Sequence, residues 1–250
     1  MCCLFGFVDY AGSLSVKQKG RLIRELSIAA EARGTDATGV AYNTSRGLQI
    51  YKRPLTAHRL HLNIPAEAHV VMGHTRMTTQ GSAKKNYNNH PFFGCVKGKS
   101  FALAHNGIVW NDLEMRRTKH LPRTKVQTDS YVSVQLIEQQ KALDFDSLRY
   151  MARAGRGFFL HLQCWMSRMR CGSSRGTILS ALLTFRSLAF TFDASTAEIL
   201  NKALTAAATG SGVRKRSYCD GRYWWKIDSR GHITHGTFDV SKFYCPSWGY

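Results

Sequence analysis

Short apolar runs broken by turn-forming residues limit what this chain can fold into. Residues 3–9, 40–42, 48–52, 69–74 and 101–105 each have the length and content of a single strand. Asn43–Gly47 joins two of them as a hairpin, and Asp228–Gly231 joins Tyr223–Ile227 to Ile233–Phe238 in the same way. Helical spacing is confined to a few segments. Leu22, Ile23, Leu26 and Ala30 predict a helix over Ser15–Ala32, capped by Ser15. Val132, Val134, Leu136 and Ile137 predict another over Ser130–Gln140, opened by Thr128-Asp129-Ser130. Ser195–Ala207 is a third, started by Ser195-Thr196-Ala197-Glu198. Strands and helices come in blocks, which favours an α+β sandwich over a doubly wound sheet. Thr75–Pro91 is too long and polar to be mere connection. The strand at Phe101–His105 is expected to end in Asn106-Gly107.

No apolar run reaches the roughly 18 residues of a membrane-spanning helix. The first ten residues lack a basic region and meet an acid at Asp9, so no signal peptide is expected. Seven cysteines, an odd number with no Cys-x-x-Cys among them, argue against a disulfide framework or a four-cysteine zinc site. A reducing cytoplasm is the default compartment.

Charge needs care. Lys and Arg number 35 against 16 Asp and Glu, a formal charge of +19. That excess can signal a nucleic-acid partner. Here it is uneven: between Asp146 and Asp193 there is no acidic residue and there are seven Arg. Arg214-Lys-Arg216 followed by Tyr223-Trp224-Trp225 reads better as a solvated turn and a core strand than as a base-stacking platform. Nucleic acid is therefore not an expected partner. His58-x-x-His61 and His232-x-x-His235 lack a Cys or carboxylate to complete a metal site, and no metal or other cofactor is expected.

Chemistry gathers at the ends of the apolar runs. Cys2 becomes the first residue if Met1 is removed, as is usual before a small residue. Its thiol (pKa roughly 8.5) and free α-amine (roughly 8) could then exchange a proton near neutral pH, making one residue both nucleophile and base. An isolated cysteine there is more often a small apolar residue opening a strand. Further along stand Arg33-Gly-Thr-Asp-Ala-Thr-Gly39, Gly73-His-Thr-Arg-Met-Thr-Thr-Gln-Gly81, Asn88-Asn-His-Pro-Phe92, Ala104-His-Asn-Gly107 and Thr128-Asp-Ser130. Taken singly, Arg76 is a surface ion pair, His74, His90 and His105 are structural, Asn106-Gly107 is a hairpin turn and Asp129 is a helix cap.

Five motifs in this order, with a cysteine at position 2, resemble the class II glutamine amidotransferases, whose domain belongs to the N-terminal-nucleophile hydrolases. The resemblance covers residues 1 to about 150 and extends to 193–240. It implies a four-layer αββα sandwich over residues 1–250 as one domain. It implies glutamine as substrate, hydrolysed to glutamate and ammonia through a γ-glutamyl thioester on Cys2. The Asn106 side chain and the Gly107 N–H would hold the oxyanion. Arg76 would grip the α-carboxylate bidentately, and Asp129 would pair with the α-ammonium. Thr79 and His90 would shape the pocket, with Arg33, His74 and His105 in support. With no residues left for an acceptor-modifying domain, the chain would act as a glutaminase, serve a separate synthase subunit or use another amide. Departures from the family pattern are Cys3 for Gly, Ala37 for Ser, Met77 for Trp, Thr78 for Ala and Gln80 for a frequent His. Rival readings are another N-terminal-nucleophile amidohydrolase, a non-catalytic basic binding protein and an inactive product of a frameshifted gene.

Residues 155–189 do not fit. They have no clean period and no acid, where this fold calls for core strands and an acidic turn. Trp and Met have single codons, so reading Cys164-Trp165-Met166 one base earlier forces Leu-Asp. Ordinary codon choices extend this into a strand, an acidic turn and a second strand. The segment therefore reads as translated out of frame, which would make part of the positive charge and Cys164 and Cys171 accidental.

Overall fold

The computed structural model describes residues 2–166, 176–177, 181–185, 190–206, 223–227 and 232–237. Twelve strands among them form two antiparallel sheets. β1 (Cys3–Asp9), β2 (Ala37–Thr44), β3 (Gly47–Arg53), β4 (Val70–Arg76), β9 (Ala181–Phe185) and β10 (Phe190–Ala194) make the first, in the order β3-β2-β4-β1-β10-β9. β5 (Phe92–Val96), β6 (Lys99–Val109), β7 (Gly157–Met166), β8 (Gly176–Thr177), β11 (Tyr223–Ile227) and β12 (Ile233–Thr237) make the second, in the order β12-β11-β8-β7-β6-β5.

Helices cover the outer faces. α1 (Val16–Ala30) and α5 (Ala197–Ala206) lie on the first sheet, where Leu22, Ile23, Leu26, Ile199 and Leu200 join Cys3, Phe5 and Phe7 in one core. α2 (Asp112–Thr118), α3 (Tyr131–Gln140) and α4 (Phe145–Ala154) lie on the second, burying Met115, Val132, Leu136, Leu148 and Met151 with Phe92 and Phe101. Leu4, Val8, Val70, Met72, Ala102 and Ala104 close the space between the sheets. β1 thus alternates Cys3, Phe5 and Phe7 toward α1 with Leu4 and Val8 toward the other sheet, and every one of its residues is buried. Burial on both faces is why its sequence is an unbroken apolar run. This is the αββα arrangement that the sequence led us to expect.

α1 begins as predicted. Ser15 Oγ accepts from the Gln18 N–H and Gln18 Oε1 accepts from the Ser15 N–H, a reciprocal cap. At the end of β1, Asp9 is wholly buried. It accepts from Ser13 and Leu14 N–H groups and lies 3.3 Å from the equally buried Lys19 ammonium.

The structure departs from the sequence reading in places. β4 continues through Arg76, shortening the polar loop that follows. β6 does not stop at Asn106-Gly107. It runs on to Val109, and its pairing with β7 slips by one residue there, a bulge in place of the expected turn. β5, α2 and α4 had no assigned signal, although Asp144 caps α4 by accepting from the Ser147 N–H. The turn at 228–231, the basic run 214–216 and, within 155–189, residues 167–175, 178–180 and 186–189 lie outside the described residues.

Candidate active site

Cys2 opens β1 at the end where β4 stops. Its carbonyl accepts from Arg33 Nε at 3.0 Å. Its thiol lies against the Met77 main chain, 3.3 Å from the nitrogen and 3.4 Å from the oxygen. Burial pushes the Cys2 thiol above its ordinary pKa, and Asp129 adds to the rise. The Met77 contact and the positive charge of Arg76 oppose it. At neutral pH the thiol is protonated, so attack needs a base at hand.

The motif glycines make this junction possible. A Cβ on Gly34 would lie 2.5 Å from the Arg76 carbonyl carbon and 2.7 Å from the Met77 nitrogen. Only glycine lets the Arg33–Gly39 turn reach the end of β4. The Asp36 N–H then donates to the Arg76 carbonyl at 2.9 Å, and Asp36 Oδ2 accepts from the Thr78 N–H at 2.7 Å.

Arg76 is almost fully buried. One terminal nitrogen donates to Asn89 Oδ1 at 2.6 Å. The other donates to the carbonyls of Gln80 at 2.6 Å and Gly81 at 2.9 Å. Burial lowers its pKa, while Cys2, Asp129 and Asp36 hold it up. Asp129, also buried, accepts from the Val109 N–H at 2.6 Å, which ties the start of α3 to the end of β6. It does not cap that helix; Ser130 holds the cap position. Burial raises the Asp129 pKa and its backbone hydrogen bonds limit the rise. Asn106 is buried beside the bulge, and its Nδ2 has no hydrogen-bond partner among the described residues. An amide N–H kept dry and unpaired is costly in a fold and useful to a developing oxyanion.

The three histidines form a polar layer behind these groups. His74 Nε2 donates to the His105 carbonyl at 3.3 Å, and His105 Nδ1 meets Ser130 Oγ at 2.8 Å. The His90 ring packs at a tilt against His74 and Phe92, each with centroids 4.3 Å apart. Burial drives His74 down to about 3 and His90 well below its ordinary value, so both stay neutral and neither is poised as a base at pH 7.

Thr79 lies on the exposed run Met77–Thr79, whose first residue touches Cys2 in this cluster. Two side chains that the sequence did not single out join it. Asn89 holds Arg76. Lys52, on β3, donates to the carbonyls of Asn89 at 2.5 Å and Pro91 at 2.9 Å, and burial lowers its pKa to about 8. Among the described residues no group of three or more His, Cys, Asp or Glu could hold a metal. His58 instead pairs with Glu31 at 3.0 Å.

The family described as "Glutamine amidotransferases class-II" matches residues 1–145. The glutamine–fructose-6-phosphate aminotransferase [isomerizing] of Thermus thermophilus is 32% identical over 165 residues, which cover 64% of this chain and 26% of that protein. The 7-cyano-7-deazaguanine synthase of Sulfolobus acidocaldarius is 26% identical over 167 residues, 64% of this chain and 35% of that one. The chain thus spans about a quarter to a third of the length of these relatives. Among solved structures, the glutamine phosphoribosylpyrophosphate amidotransferase of B. subtilis superposes with a TM-score of 0.70 at 16% identity, over 96% of this chain and 50% of that one, a likeness of fold.

Proposed function

The chain belongs to the class II glutamine amidotransferases, and we propose that it hydrolyses the glutamine side-chain amide with Cys2 as an N-terminal nucleophile. Removal of Met1 frees the Cys2 α-amine. That amine takes the thiol proton as Sγ attacks the amide carbon. The tetrahedral oxyanion lies against Asn106 Nδ2 and the Gly107 N–H. Its collapse expels ammonia, which carries away the proton, and leaves a γ-glutamyl thioester. Water activated by the same amine then releases glutamate and restores the thiol. Arg76 holds the α-carboxylate through its remaining donors and Asp129 holds the α-ammonium. Ammonia passes to a synthase domain or subunit, as suggested by relatives that carry this region as a fraction of a longer enzyme.

The observation that carries this reading is a half-buried thiol with a raised pKa, set at the start of β1 on the same junction as a buried Arg76. A protonated thiol is a poor nucleophile until a base reaches it, and the α-amine of the same residue is that base. The test is to treat the protein with an electrophilic glutamine analogue and map the adduct by peptide mass spectrometry. An adduct on an N-terminal Cys2, prevented by excess glutamine, is expected. A free N-terminal Cys2 that stays unmodified would sink the proposal.

A further inference from the structure

Lys52 is a largely buried cation beside this site that the reaction does not use. It comes from the far strand of the β2–β3 hairpin, yet its ammonium reaches the loop between β4 and β5. There it donates to the main-chain carbonyls on either side of His90, those of Asn89 and Pro91. Its charge also lies over the Phe92 ring, 5.1 Å from the centroid. The stem is wedged in place: a Cβ on Gly39 would lie 2.2 Å from the His90 carbonyl oxygen and 2.7 Å from Lys52 Cβ. A further bond runs from Asn86 Nδ2 to the Lys52 carbonyl at 2.9 Å. No acid pairs with Lys52 among the described residues. The charged and titratable groups that face it are Arg76, His74 and His90.

The partner of this clamp is informative. Asn89 receives Lys52 at its carbonyl and holds Arg76 with its side chain at 2.6 Å. Asn89 Nδ2 is fixed in turn by the Ala83 carbonyl at 2.8 Å. A two-carbonyl anchor on this short segment therefore helps fix the Asn89 oxygen, which holds one side of the guanidinium while the Gln80 and Gly81 carbonyls hold the other. The anchor is also a second positive charge beside Arg76, which favours an anion arriving there.

We propose that Lys52 is a positioning residue for substrate selection: by fixing the loop carbonyls it aims Asn89 at Arg76 and so sets how strongly the α-carboxylate is gripped. The inference rests on the role assigned to Arg76 above. It accounts for a long side chain crossing from β3 to bind main chain where a short polar residue on the loop itself would satisfy those carbonyls less rigidly.

Kinetics on L-glutamine and on 4-aminobutanamide, which keeps the amide and amine but lacks the carboxylate, test it. For Lys52→Met, KM for glutamine rises roughly tenfold while kcat stays within about twofold. Hydrolysis of 4-aminobutanamide is unchanged, so the preference for glutamine falls by the same factor. Lys52→Arg, which can donate to both carbonyls, recovers most of it. Equal losses on both amides, or an unchanged KM for glutamine, would overturn the positioning role with the glutaminase reading intact. A wild-type protein inert toward glutamine overturns both together.

Discussion

Cys2 has a thiol raised by burial and held by the Met77 main chain, so the attack we propose depends on its own α-amine. Cys2→Ser should abolish measurable glutamine turnover while leaving the unfolding midpoint in place. Asn106→Ala removes the proposed side-chain donor to the oxyanion and should lower kcat by about 10²–10³ with little change in KM; steady-state kinetics separates the two effects. The buried histidines make a prediction about pH. The folded chain keeps His74 neutral down to about 3, while an unfolded histidine takes up its proton near 6.5. A histidine lowered in the fold stabilises fully above its unfolded pKa and loses that contribution as pH falls. Thermal unfolding should therefore show the histidine contribution constant above about pH 6.5 and falling below it, by roughly 1.4 kcal/mol per pH unit for each such histidine. His90 is lowered in the same direction and adds to the slope. His90→Asn should make the decline shallower; an unchanged slope would mean that His90 is not kept neutral.

Strands and the turns between them carry the site, and the glycines mark where two elements meet without room for a side chain. Gly34 lies against the Arg76–Met77 main chain. Gly34→Ala must push the Arg33–Gly39 turn off the end of β4, moving the two groups that touch the Cys2 thiol and the proposed carboxylate grip. We expect a loss of at least about tenfold in kcat/KM, with a smaller effect on folding, read by comparing activity with urea unfolding. The cap of α1 is far from this junction. Ser15→Ala breaks the reciprocal Ser15–Gln18 bonds and should cost about 1 kcal/mol of stability with activity unchanged. Opposite responses in this pair would show that the junction is not where activity is set.

Across the whole molecule, the two sheets meet through Leu4, Val8, Met72 and Ala102, so neither can hold its inner face dry alone. We propose that residues 1–250 form one domain and that 155–189 are translated out of frame. Main-chain pairing of β7 with β6 uses N–H and C=O groups common to every residue, so the ladder forms whatever the reading frame, while the packing of its side chains depends on it. A variant carrying the shifted reading over 163–177 should unfold at a higher temperature in a single transition. No gain in midpoint would count against the frame proposal, as would a source gene that encodes the present segment intact.

Much of this molecule could be read before it was seen. The strand periods, the reciprocal cap of α1 and the order of the motifs depend on residues within a few positions of one another, and local sequence specifies local conformation. The periods were enough for an α+β sandwich, and the resemblance carried by the motifs implied the αββα layers and Cys2, Arg76, Asn106 and Asp129 as candidates. The rest came from contacts between distant segments. Met77 meets Cys2 through its main chain, 75 residues along the chain, and a backbone contact leaves no mark in residue type. Asn106-Gly107 has the local signature of a turn, and β7 draws it into a strand as a bulge. Lys52 is an ordinary surface residue by its neighbours in sequence; only the folding of β3 over the loop at Asn89 turns it into a clamp. Hydrophobic pattern chooses the layers, but which polar groups face one another at their ends is decided when those layers pack.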